Sequence, residues 1–228
     1  MKISVFGLWH LGMVTASCPA SFGHEVIGLD FESSTVEALA GGKPPIFEPG
    51  LEDLVKQGLA DKNLRFTSDP KEALRNRQIV WVTYDTPVDD KDQADVDFVV
   101  DRIRRLFPYL TAVTLVLISS QIPVGTTRRL ELEYTQAYPG KMVSFAYSPE
   151  NLRLGKSIDA FTKPDRVVVG VRSNETRERI SELLRPYTER IEWMTVESAE
   201  MTKHALNAFL ATSVAFANEV ATLHQRDR

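Results

Sequence analysis

Apolar residues along this chain fall into short runs separated by segments of helical period. Lys2 to Phe6, His24 to Leu29, Leu64 to Thr67, Gln78 to Thr83, Val113 to Ile118, Met142 to Tyr147, Arg166 to Gly170 and Ile191 to Met194 are rich in β-formers and read as strands. Between them lie helix-compatible segments: Met13 to Ser17, Ser33 to Ala40, Leu51 to Leu59, a helix begun by Asp69-Pro70, Asp95 to Leu106, Thr126 to Ala137 and Asn174 to Tyr187. In Asp95 to Leu106, Val96, Val99, Ile103 and Leu106 recur at helical spacing. In Asn174 to Tyr187, Ile180, Leu183, Leu184 and Tyr187 turn inward. From Glu197 to about Leu223 there is no proline or glycine, which predicts one long helix, with Glu197 and Glu200 suiting the dipole of its first turn. Residues 148 to 165 read as a long polar connection, and connections of that length inside a compact domain are usually functional.

Strands alternating with helices predict an α/β fold, a doubly wound and mostly parallel sheet followed by one long α-helix. The one shift in pattern, at about residue 196, divides the chain into residues 1–196 and a helical segment 197–228.

The opening stretch is the most informative. A strand runs through Gly7 and Gly12 into a helix, and the next strand ends in Asp30, roughly 20 residues beyond the turn. Strand, glycine turn, helix, strand and acid is the order of a Rossmann-like dinucleotide-binding unit, in which Asp30 would grip a ribose hydroxyl. The middle glycine of the usual G-x-G-x-x-G is Trp9, whose side chain must point away or fill part of the site.

Composition narrows the picture. The 228 residues are 43% hydrophobic and 25% charged, ordinary for a globular domain, and the formal net charge of −4 with no basic cluster argues against nucleic acid. No run approaches the ~18 apolar residues of a membrane span, and no signal-peptide pattern opens the chain. The single cysteine, Cys18, cannot form an internal disulfide, so a cytoplasmic setting is expected, with Cys18 a small buried side chain. His10, His24, His204 and His224 lack metal-site spacing, so no metal is expected.

In a parallel sheet, ligands meet the loops at the carboxyl ends of the strands. Those loops are Thr83 to Pro87, Ser119 to Gly125 and Ser148 to Gly155. Each alone is ordinary turn chemistry; together they describe a site. Glu150 could hold a water or act as a base, or merely cap or solvate its loop. On the long helix, Lys203 and Asn207 share a face, as a pair that can stabilise an oxyanion. The plainer reading is an exposed Lys and an exposed Asn, but Asn207 lies among Ala205, Leu206, Ala208 and Phe209, an apolar neighbourhood in which an Asn needs a reason.

With these segments in view, the chain resembles the UDP-glucose/GDP-mannose dehydrogenase family from Met1 to about Leu223. The resemblance rests on GLWHLG (7–12), GLD (28–30), PIFEPGL (45–51), DTP (85–87), ADVDFV (94–99), SSQIPVGTT (119–127), SPENLRLG (148–155), PDRVVVG (164–170) and EMTKHALNAFLAT (200–212). It implies oxidation of the C6 alcohol of a nucleotide sugar to the uronate with NAD. It also implies that Gly7, Leu11, Gly12 and Asp30 hold the adenosine diphosphate half of NAD, that Thr83 and Thr86 line the cofactor, and that Glu150 organises water or moves a proton. Leu152 and Arg153 would lie along the sugar nucleotide, and Lys203 and Asn207 would stabilise the oxyanion. Gln121 stands where many members carry a Thr that orients a catalytic water; Trp9 and His10 replace the family's Gly and Tyr, and Asn151 and Leu154 its Phe and Glu. The family's thiol nucleophile and nucleotide-sugar-binding domain would lie downstream of residue 228. The resemblance therefore implies a cofactor-binding half that is not competent alone and a homodimer built on the long helix. A module that only binds NAD(H) or only dimerises is the alternative.

Overall fold

The computed structural model describes residues 1–91, 93–112 and 114–226, the side chains of 223–226 excepted. Val113 and the side chains of Leu223 and His224, which figure in the sequence reading, lie outside the described residues. The strands are β1 (Lys2–Phe6), β2 (Glu25–Leu29), β3 (Leu64–Thr67), β4 (Ile79–Val82), β5 (Leu115–Ile118), β6 (Ser144–Tyr147), β7 (Val167–Gly170) and β8 (Ile191–Met194). The helices are α1 (His10–Ser21), α2 (Ser33–Ala40), α3 (Leu51–Ala60), α4 (Pro70–Leu74), α5 (Val96–Leu106), α6 (Thr126–Ala137), α7 (Ser157–Thr162), α8 (Asn174–Leu184) and α9 (Val196–Arg226).

The strands form one eight-stranded sheet in the order β3-β2-β1-β4-β5-β6-β7-β8. Its pairings are parallel except β6 with β7, which meet antiparallel through Tyr147 and Gly170. Strand order reverses between β1 and β4, and the crevice of a doubly wound sheet opens at the carboxyl ends of such a pair. Both faces are covered. Along β4, Val80 and Val82 enter one core cluster with Phe6, Ile118 and Tyr134, while Ile79 and Trp81 enter the other with Val5, Met13 and Ile180. That alternation explains why the central strands read as unbroken apolar runs: each successive side chain has a buried face to enter.

Local chemistry sets the helix starts. Asp69 caps α4 by accepting the Lys71 N–H, Asp95 caps α5 through Phe98 N–H, and Ser173 caps α8 through Thr176 N–H. Residues Leu11 to Ala20 of α1 are all buried, so this helix has no polar stripe for a period to reveal. Two expectations are corrected. The 148–165 connection contains α7, a six-residue helix too short to show periodicity. Glu200 does not serve the first turn of its own helix; it is fully buried and turned to α6.

Candidate functional site

The turn between β1 and α1 can be built only with glycine. Gly7 has φ of +98°, and a Cβ there would meet the Tyr84 ring at 2.7 Å. A Cβ on Gly12 would fall 1.7 Å from the Gly7 carbonyl oxygen, a backbone clash with no side-chain escape. Thr83 lies beneath this turn, fully buried, its hydroxyl 2.9 Å from the Gly7 carbonyl and 3.1 Å from that of Phe6. Its position makes it a prop for the turn, without exposed surface to line a ligand. Trp9 precedes α1, offers the helix no side-chain cap and is 52% exposed. The first intrahelical bond runs from Met13 N–H to the Trp9 carbonyl, so the amides of His10, Leu11 and Gly12 have no acceptor within α1. With no acid in the first turn, this helix end suits an anion such as a diphosphate.

Asp30 closes the same corner. One carboxylate oxygen accepts Leu8 N–H at 2.8 Å and the other accepts Glu32 N–H at 3.1 Å, which braces the turn. A carboxylate offers about four lone-pair sites, so acceptor capacity remains for a ribose hydroxyl.

A cavity of about 260 Å³ opens beside the turn, bordered by Leu11, Asp85, Thr86, Ser120, Gln121 and Glu150. The Thr86 hydroxyl donates to the Gln121 carbonyl at 2.5 Å and so joins two of the predicted loops. The Ser120 hydroxyl is buried here with no hydrogen-bond partner among the described residues, a polar group that a ligand could satisfy. Asp85 was missed by the sequence reading. Burial, and then the charge of Glu150, push its carboxyl above the ordinary range, with His10 acting the other way.

Glu150 and Lys203 meet across the loop and the long helix. Lys203 Nζ donates to the Glu150 carboxylate at 2.8 Å and to its backbone carbonyl at 2.9 Å, the two side chains being 14% and 28% exposed. The other Glu150 oxygen accepts Leu152 N–H at 2.9 Å. What aims Lys203 is Glu200, one turn earlier. Its oxygens accept Gly125 N–H at 2.5 Å and Thr127 N–H at 2.9 Å, capping α6, whose preceding Gly125 has no side chain to do so. His204 Nε2 lies 2.9 Å from the Ile122 carbonyl and adds a second tie. Asn207 and its apolar neighbours Leu206, Ala208 and Phe209 are exposed, so the apolar sequence around it is not a buried setting.

Leu152 is half-buried over a smaller cavity of about 100 Å³, while Arg153 is exposed. Arg153 offers its carbonyl to the Ser157 hydroxyl at 2.7 Å. Cys18 is buried within α1, and desolvation pushes its thiol up to about 12, far from a reactive thiolate. A second missed residue is Glu48, 4% exposed, which binds the amides of Gly155 and Ser157 and neighbours His10. Burial pushes its carboxyl upward, but the Ser157 and Gly155 donors and the His10 ring more than offset this and hold it below the ordinary range. Its signal in the sequence was an acid set between Phe47 and Pro49 in an otherwise apolar loop.

Comparison with known proteins gives this geometry a context. The model for the NAD binding domain of the UDP-glucose/GDP-mannose dehydrogenase family matches residues 1–188, and that for the family's central domain matches residues 197–227. A UDP-glucose 6-dehydrogenase of Rhizobium meliloti is 36% identical over 99% of this chain and 53% of its own length. A ternary complex of GDP-mannose dehydrogenase from Pseudomonas aeruginosa superposes with a TM-score of 0.89 at 31% identity, covering 96% of this chain and 52% of that one. A UDP-glucose dehydrogenase from Pyrobaculum islandicum superposes equally, at 33% identity and the same coverage. The chain spans about half the length of the relatives it matches. Among the described residues, no helix is long and apolar enough to cross a membrane.

Proposed function

The chain belongs to the UDP-glucose/GDP-mannose dehydrogenase family, and from that premise we propose that residues 1–228 are the NAD-holding half of a nucleotide-sugar 6-dehydrogenase. The observation that carries this reading is the Lys203–Glu150 pair beside the cavity that reaches the α1 turn. It sets a cation and a carboxylate beside the place where a dinucleotide fits.

The residues divide the work as follows. Gly7, Leu11 and Gly12 let a diphosphate approach the open amides of α1, and Asp30 accepts from a ribose hydroxyl. Thr86 and Gln121 border the cavity, while Thr83 keeps the turn in shape from below. NAD, when bound, supplies the hydride acceptor. Oxidising an alcohol also releases a proton and builds negative charge on the carbinol oxygen. Lys203, with Asn207 one turn further on, stabilises that charge. Glu150 holds the water that takes the proton. Leu152 and Arg153 lie along the nucleotide sugar. The second oxidation needs a thiol to capture the aldehyde, and buried Cys18 cannot supply it, so that thiol comes from outside residues 1–228.

We place the boundary between the cofactor-binding body and the dimerisation segment at residue 196, and read α9 as the surface of a homodimer. Leu206, Phe209, Leu210, Val214 and Phe216 are 49%, 73%, 60%, 53% and 70% exposed, an apolar stretch that calls for cover.

Calorimetry tests the cofactor site. NAD binds, and NADP binds far more weakly because Asp30 repels a 2′-phosphate. Asp30→Ala weakens NAD binding by about 1–3 kcal/mol, the scale for a hydrogen bond to a charged group. Equal affinity for NAD and NADP would remove the assignment of Asp30.

A further inference from the structure

The proposed site leaves one buried carboxylate without a role. Glu48 sits in the proline-rich stretch 43–50, away from both the nucleotide turn and the 148–155 loop in sequence. One of its oxygens accepts Ser157 N–H at 2.9 Å; the other accepts Gly155 N–H at 2.9 Å and lies 3.1 Å from His10 Nε2. The Ser157 hydroxyl spends its proton on the Arg153 carbonyl, which leaves its oxygen to accept from His10 Nε2 at 2.9 Å. Since an ionised carboxylate only accepts, the hydrogen-bond inventory places a proton on Nε2 of His10. One carboxylate thus joins the first residue of α1, the proline-rich loop and the start of α7.

We propose that Glu48 is a positioning residue that couples the dinucleotide turn to the loop carrying Glu150, Leu152 and Arg153. The loop is held at its near end by the Ser148 hydroxyl, which donates to the Val168 carbonyl at 2.8 Å. Its far end is folded on itself, the Lys156 N–H and the Ser157 hydroxyl both donating to the Arg153 carbonyl, but Lys156, the residue before α7, offers that helix no side-chain cap. Glu48 takes that place from 109 residues away. On the other side, His10 belongs to the turn whose open amides receive the diphosphate, so a ligand that orders the turn also fixes the ring that leans on Glu48. A buried carboxylate that lost these donors would be left unpaired, so the three segments keep their mutual placement. This inference rests on the NAD-site reading and adds to it a link between the cofactor and substrate loops.

Hydrogen exchange on the 228-residue chain, with and without NAD, tests it. In the wild type, saturating NAD slows exchange at the Gly155 and Ser157 amides by about threefold or more. His10→Ala abolishes that ligand-dependent slowing while leaving ligand-free exchange near wild type, since Glu48 still holds both amides. His10→Gln, whose side-chain amide restores a donor, recovers it; a merely structural His10 would not give this pattern. Glu48→Gln speeds exchange at one of the two amides about tenfold with or without NAD, because one of the two acceptor oxygens becomes a donor facing a donor. Amides of β4 and β5 stay protected, which shows that the variant folds. NAD binding by calorimetry without protection at Gly155 and Ser157, or with equal protection in His10→Ala, overturns the coupling alone. Absence of NAD binding overturns the cofactor reading and the coupling with it.

Discussion

The long helix α9 is held at one end and bare along the rest. Val196, Ala199 and Glu200 are fully buried, Glu200 bonded to two amides of α6, and a Cβ on Gly170 would lie 2.6 Å from the Val196 Cα, so helix and sheet nearly touch. From Ala205 through residue 222 every residue is exposed, Phe209, Leu210 and Phe216 included. The exposed apolar stretch carries none of the attachment; the packed Val196 and Ala199, the buried bonds of Glu200 and the ties of Lys203 and His204 carry it. The contrast also separates two kinds of role. The anchored end aims Lys203 at Glu150, and the bare end is the surface proposed above for a homodimer.

Substitutions along α9 should sort by this division. Glu200→Gln should cost the most, about 1.5–3 kcal/mol, since a hydrogen bond to a charged acceptor is exchanged for a buried mismatch. Thermal unfolding would show it, and an unchanged melting temperature would mean that α9 is held by other contacts. Arg172 ties the first turn through Glu197 at 2.7 Å and α6 through Glu131 at 2.9 Å, the three side chains being 26–32% exposed. After discounting for solvent screening, Arg172→Ala should cost less than about 1 kcal/mol in the same assay. Phe209→Ala should leave the unfolding of the monomer within about 0.5 kcal/mol of wild type, yet shift sedimentation at high micromolar concentration toward monomer. A wild type that is strictly monomeric there would remove the dimer from the account.

Much of this was legible in the sequence, for identifiable reasons. The strands announced themselves because both faces of the sheet are covered, and Asp69, Asp95 and the glycines marked real boundaries. The turn was readable because backbone sterics demand glycine at 7 and 12, and Asp30 because its carboxylate accepts the amides of that corner. Other features could not be read locally. The capping role of Glu200 and the bridging role of Glu48 depend on amides 73 to 109 residues away. Thr83 looked like a lining residue because its loop is right, but its hydroxyl points beneath the turn. Asn207 sits in an apolar sequence that the fold leaves in solvent. Short α7 had neither a period nor a cap of its own to show.

The central claim is that residues 1–228 hold the cofactor but cannot complete the oxidation. The direct measurement is absorbance at the NADH band after mixing the chain with NAD and UDP-glucose, with Cys18→Ala as control. The account predicts no sustained NADH from either protein, and turnover only when a Cys-bearing nucleotide-sugar-binding half is supplied. Steady turnover by the 228-residue chain, abolished by Cys18→Ala, would contradict it.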